Sequence, residues 1–157
     1  MADHSSSSPP TGAGTGSVPG EAGSGRQVAS IRILSEADIV TARQEGRAMG
    51  AELGFAGADL TIIATAISEL ARNIVLYAKQ GEITLSKIEN GHRPGIGVIS
   101  RDQGPGIPDV AEAMRDGYST SGGLGVGLPG VKRLMDEFDI ASTVGGGTTV
   151  SIKKWKR

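Results

Sequence analysis

The chain has 157 residues, a formal net charge of -1 and no cysteine, which leaves room for one domain with its own core. The charge balance argues against a polyanion-binding surface, and the lack of cysteine excludes disulfides, thiolate nucleophiles and cysteine-ligated metals. The two histidines, His4 and His92, lie far apart and in no metal-like cluster. No apolar run approaches a membrane span and the N-terminus lacks a signal-peptide core, so a cytoplasmic protein with no nucleic-acid and no membrane partner is expected.

Residues 1–26, "MADHSSSSPPTGAGTGSVPGEAGSGR", are almost devoid of apolar side chains. Such a segment cannot bury enough surface to offset the entropy of ordering it, so it reads as a flexible tail ahead of a folded unit at 27–157. "VASIRIL" (28–34) alternates Ala29, Ile31 and Ile33 with polar partners and predicts a strand. Ser35 and Asp38 resemble a helix start, opening "EADIVTARQEGRAMGAELG". A second helix is predicted from about Asp59 to Ala78, with Leu60, Ile63, Ala64, Ile67, Leu70, Ala71 and Ile74 on one stripe. "EITLSKIE" and "GIGVISRD" predict two strands joined by the turn "NGHRPG". A short helix in "PDVAEAM" follows, then six glycines in "GYSTSGGLGVGLPG" (117–130). Next comes a helix through "VKRLMDEF", with Leu128, Val131, Leu134, Met135 and Phe138 on one side. "DIASTV" and "TTVSIKKW" close the chain as a strand pair around "GGG". This order predicts an α+β fold, a two-layer sandwich with helices on one face of a mixed, mostly antiparallel sheet.

Four places bear polar groups suited to chemistry. "SELARN" sets Glu69 and Asn73 one helical turn apart, between the polar arc of Thr61, Thr65, Ser68 and Arg72 and the apolar stripe. By itself this pair is a chance surface feature or a set of hard ligands for Mg²⁺. In "RDQGPGIPD", Asp102 ends a strand, and Gly104 and Gly106 bracket a proline. This is either plain turn material or an acceptor for an exocyclic amine, with room for a flat ring beside it. "GVGLPG" formally matches the dinucleotide fingerprint but follows "YSTSGG" instead of a strand, so that reading fails. No Walker motif occurs. What remains is a glycine-rich loop feeding a helix, whose amides suit phosphates, and so a phosphate-covering lid is preferred to a linker. "GGGTTV" places Thr148 at the start of the last strand, an ordinary hairpin when taken alone.

Taken together and in this order, the four motifs resemble the GHKL ATPase/kinase superfamily and its Bergerat fold. "TAISELARN", "DQGPGIPD", "STSGGLG" and "GLPGVKRLMDEF" are similar to its small serine kinases that switch bacterial stress modules. The resemblance implies ATP and Mg²⁺ as cofactors. It implies that Asn73 holds the Mg²⁺, that Asp102 reads the adenine amino group with a water and Thr148, and that Gly104 and Gly106 line the adenine pocket. Gly122, Gly123, Leu124, Gly125, Val126 and Gly127 would form the lid, and Glu69 would be the general base toward a substrate serine. The implied partners are a STAS-domain antagonist as substrate, a STAS-containing stressosome scaffold, and a PP2C-type phosphatase that the released kinase activates. The alternative is an anti-sigma factor of the same fold acting by sequestration. Sensor histidine kinases, which need a hairpin with a phosphoacceptor histidine, and topoisomerase- or chaperone-like relatives, which need further domains, are not expected.

Overall fold

The computed structural model describes residues 28–115 and 127–157; the expected tail and lid residues 122–126 lie outside the described residues. The alternation of Ala29, Ile31 and Ile33 gives strand β1 (Val28–Ile33). Helix α1 (Glu36–Glu52) starts where expected. The Asp38 carboxylate accepts the Leu34 amide at 2.8 Å and the Ser35 amide at 3.1 Å, which fixes the angle of entry. Helix α2 (Gly57–Asn73) buries its stripe, Ile63, Ala64, Ile67, Leu70 and Ala71, as the spacing requires. Each fully buried isoleucine or leucine there contributes about 1.5–3 kcal/mol, enough to hold a helix that also bears threonines.

The regular helix does not reach Ala78. Over Ile74–Ala78 it widens into a π-type turn, in which the Lys79 amide donates to the Ile74 carbonyl at 2.8 Å and Lys79 takes φ +73°. Turns of this kind cluster at functional sites. Gly57–Ala78 is also long and apolar enough to cross a membrane by length and composition, contrary to expectation. Half of an apolar 18-residue stretch within it is buried inside this fold, and it packs on α1 and the sheet.

Strands β2 (Gly81–Asn90) and β3 (Arg93–Asp102) form a hairpin whose tight turn uses Gly91 at φ +67°. Short α3 (Val110–Ala113) is capped by the Asp109 carboxylate, which accepts the Glu112 amide at 3.0 Å. After α4 (Gly127–Leu134), strands β4 (Glu137–Thr143) and β5 (Gly147–Trp155) complete the sheet. Its order is β1-β2-β3-β5-β4, and every neighbouring pair is antiparallel, so the described sheet is not mixed.

The register explains why a site forms at one end. Residues opposite each other share a face, and on the helix-covered face they form rows across the sheet. One row is Ala29, Leu85, Val98, Ile152 and Phe138; the next is Ile31, Ile83, Ser100, Val150 and Ile140. These are mostly buried and apolar. The third row is Ile33, Gly81, Asp102, Thr148 and Ser142. Within two residues the covered face turns from apolar to polar, and Gly81 adds no side chain to fill the gap.

The helix expected through "VKRLMDEF" ends at Leu134, and Phe138 belongs to β4, opposite Ile152. The chain is pulled into the sheet earlier than helical spacing suggests. The Asp136 amide donates to the Lys153 carbonyl at 3.0 Å, and the Asp136 carboxylate accepts the Trp155 amide at 2.7 Å. Phe138 still meets the core, from the sheet instead of a helix.

Candidate active site

A cleft of about 240 Å³ opens where the polar row ends. The end of α2 and the wide turn form one wall, with Asn73, Tyr77 and Ala78. Asp102 and Thr148 form the floor, and the segment through Gly106 and Ile107 forms the other wall. Leu70, Ile74, Leu128 and Val150 make the remaining surface apolar, a lining suited to a flat heteroaromatic ring with few polar anchors.

Asp102 is half-buried, and its two oxygens have different surroundings. Oδ1 accepts the Gly104 amide at 2.9 Å and the Thr148 amide at 3.3 Å. No hydrogen bond to Oδ2 occurs among the described residues, which leaves an oriented acceptor at the cleft. Thr148 Oγ1 lies 2.8 Å from Ser142 Oγ, which also accepts the Ile107 amide at 2.7 Å. Ser142 thus ties β4, β5 and the cleft wall together. Sequence reasoning missed it, because its role is legible only once the register sets it opposite Thr148.

The glycines here serve the protein's approach to itself. A Cβ on Gly104 would lie 2.6 Å from Ala78 Cβ, and Gly104 is not among the cleft-lining residues. Gly106 lines the cleft at φ +82°, where a Cβ would lie 2.2 Å from the Thr143 carbonyl oxygen. Gly147, at φ +89°, would bring a Cβ to 2.0 Å from the Asp102 carbonyl oxygen. Gly147→Ala is therefore expected to destabilise the fold by about 2 kcal/mol or more, through backbone overlap and a disfavoured φ. Urea denaturation checks this; an unchanged midpoint would contradict it.

Asn73 is half-buried at the end of α2 and lines the cleft, with no side-chain hydrogen bond among the described residues. Glu69 lies one turn earlier but does not line this cleft. It is 5% exposed and fully engaged. Its Oε1 accepts from Arg72 Nη1 at 2.9 Å, and its Oε2 accepts the Gly127 amide at 3.2 Å. Gly127 begins α4 at φ +68° and is the one expected lid residue among those described. Glu69 instead borders a second cavity between α1 and α2. The pair expected to share a face is thus divided between two adjoining cavities.

Comparison with known proteins agrees with the fold and the order of motifs. Residues 58–157 match the family described as histidine kinase-, DNA gyrase B- and HSP90-like ATPase. The chain is 56% identical to the serine/threonine-protein kinase RsbT of Bacillus subtilis (strain 168) over 127 residues, covering 81% of this chain and 96% of that protein. It is 32% identical over 120 residues to an anti-sigma F factor of Thermoanaerobacter sp. (strain X514), covering 73% of this chain and 82% of that one. The crystal structure of the RsbU and RsbW domains of Rv1364c from Mycobacterium tuberculosis has a similar fold, with TM-score 0.56 and 23% identity. That match covers 82% of this chain and 32% of that one, so this chain spans about a third of it. The chain belongs to the histidine kinase-, DNA gyrase B- and HSP90-like ATPase family, whose members use ATP. Within that family it belongs with the RsbT-type serine/threonine-protein kinases of partner-switching systems.

Proposed function

We propose that the protein binds ATP in the cleft below the end of α2 and transfers its γ-phosphoryl group to a serine of a STAS-domain antagonist protein. The observation that carries this reading is Asp102: one oxygen is pinned by two backbone amides, and the other is open at an apolar cleft. That arrangement suits an adenine amino group, which donates where guanine presents a carbonyl. Thr148, at the centre of the polar row, is placed to complete the contact directly or through a water.

Asn73 is the residue suited to hold Mg²⁺, because its carboxamide offers a hard oxygen at the cleft and makes no bond within the described residues. The bound cation would neutralise charge on the phosphates. Glu69 is assigned as the base that orients the substrate hydroxyl and takes its proton. It borders the cavity between α1 and α2 and not the cleft, so the protein substrate would approach it from that cavity. Residues 122–127 are assigned to the phosphate lid. The wider reading places the protein in the cytoplasm, held by a STAS-containing stressosome scaffold until release, and then activating a PP2C-type phosphatase.

Asp102→Asn is expected to weaken ATP binding about tenfold or more, since an amide places N–H₂ where the open oxygen accepted. Calorimetric titration with ATP and GTP checks it; unchanged discrimination between the two would contradict the adenine contact. The likeness to anti-sigma F factors favours a second reading, sequestration of a sigma factor. The deciding experiment incubates the protein with Mg-ATP and the STAS-domain proteins of its own genome. Phosphoserine on one of them, and activation of a PP2C-type phosphatase by the protein alone, are the expected results. No transfer, together with recovery of a sigma factor in a pull-down, would establish the second reading instead.

A further inference from the structure

Burying a carboxylate is unfavourable unless hydrogen-bond donors meet it, so those donors also decide which way it points. Glu69 is such a group. Arg72 lies three residues on and so on the same helix face, with Nη1 2.9 Å from Glu69 Oε1. The Gly127 amide meets Oε2 at 3.2 Å. The two donors differ in kind. The amide belongs to the first residue of α4 and is part of the backbone. The guanidinium is a charged, planar donor on the last turn of α2, where a cation is favoured, and its bond to a carboxylate is of the stronger type. The Arg72 side chain is 40% exposed against 6% for Glu69, which makes it the outer member of the pair. Arg43 and Arg47 border the same cavity from α1, but neither bonds to Glu69 among the described residues. A partly exposed ion pair adds little to stability. Holding the fold is therefore a poor use of Arg72, and holding the carboxylate a better one.

We propose that Arg72 is a positioning residue for phosphoryl transfer: it fixes the Glu69 carboxylate so that an acceptor position faces the substrate hydroxyl. This rests on the reading of Glu69 as the base. In that step the serine O–H bond breaks and its proton passes to Glu69. The serine oxygen bonds to the γ-phosphorus, and the bond from that phosphorus to the departing ADP oxygen breaks. Arg72 gives up no proton and need not touch a reacting atom. An ionised carboxylate accepts at about four positions. With Nη1 on Oε1 and the amide on Oε2, its plane and rotamer are set before the serine arrives. Such preparation matters because a misplacement of about 1 Å can slow a reaction about 10²-fold.

The test is a double-mutant cycle on the full chain, carrying Arg72→Gln, Glu69→Gln or both. Single-turnover transfer from Mg-ATP to the STAS-domain protein that the parent phosphorylates is measured with both substrates saturating, well below each variant's melting temperature. Arg72→Gln is expected to slow transfer about tenfold or more. Its ATP affinity should stay within about twofold of the parent, since Arg72 does not line the nucleotide cleft. In the Glu69→Gln background the same change is expected to slow transfer less than about threefold, because no base is left to position. Arg72→Lys returns one charged donor to Oε1 and is expected to bring the rate within about threefold of the parent. Equal losses in both backgrounds would show a structural role, and a raised KM for the STAS protein with an unchanged saturated rate would show a docking role. Either result overturns the proposal. The base reading fails by a different sign, a Glu69→Gln variant about as fast as the parent, and the positioning role falls with it. A further measurement needs no variant: in the ¹⁵N-labelled parent the two Arg72 Nη resonances are expected to be separate, held by the bond to Glu69. Resonances averaged by free rotation would overturn the proposal even if Arg72→Gln did not fold.

Discussion

Glu69→Gln is expected to leave Mg-ATP affinity near that of the parent and to slow phosphoryl transfer by about 10²-fold, the low end of general-base contributions. The low end applies because the transition state of phosphoryl transfer is loose, so the nucleophile needs little activation. Glutamine keeps the shape of the side chain and one acceptor oxygen but takes no proton. In this structure it does one further thing. Glu69 receives a donor on each oxygen, Arg72 on one and the Gly127 amide on the other. An amide can satisfy only one of them, and its own N–H₂ must face the other. A loss of stability of about 1–3 kcal/mol is therefore expected beside the kinetic loss. Single-turnover transfer at saturating ATP separates the two, provided the assay temperature lies well below the variant's melting temperature. A rate within about threefold of the parent would remove the base role, since that role is ordinarily worth far more.

Asn73→Ala is expected to abolish Mg-dependent ATP binding at micromolar protein while leaving the melting temperature nearly unchanged. The carboxamide makes no hydrogen bond among the described residues and stands outside the buried stripe of α2. Its removal therefore takes nothing from the core. What it removes is the one hard oxygen offered from the helix end beside the place assigned to the phosphates. Calorimetric titration with ATP, with and without Mg²⁺, checks it. Equal Mg²⁺-dependence in parent and variant would take Asn73 out of the metal site.

Much of this fold was legible in the residues, and the exceptions have physical causes. The α2 stripe and strand β1 were read from periodicity, because burial imposes periods of 3.6 and 2 wherever one face is covered, the Ser35–Asp38 helix start from its capping residues, and the other four strands from runs joined by turn segments. Family membership and serine/threonine kinase activity were read from motif order, and the comparisons bear both out. The end of α4 was misread because Met135 and Phe138 continue a helical stripe. Competition from the β5 edge, through Asp136 and its bonds to Lys153 and Trp155, is a tertiary effect that local spacing does not contain. The wide turn at Ile74–Ala78 was hidden for the same reason. Asp102 and Thr148 were found by motif, but Ser142 was not, since only the strand register shows the three as one polar row. The separation of Glu69 from Asn73 was likewise out of reach. One helical turn puts two side chains on one face, whereas the cavity that each one borders depends on the elements packed around the helix.

In the proposed function the cleft over Asp102, and not the cavity between α1 and α2, is the ATP site. A titration of the ¹⁵N-labelled protein with Mg-ATP measures this directly, residue by residue. The expected result is saturable displacement of the Asn73, Gly104, Gly106 and Thr148 resonances, with the Arg43, Arg47 and Thr65 resonances moving little. Displacement concentrated on Arg43, Arg47 and Thr65, with Asn73, Gly106 and Thr148 unmoved, would contradict the account.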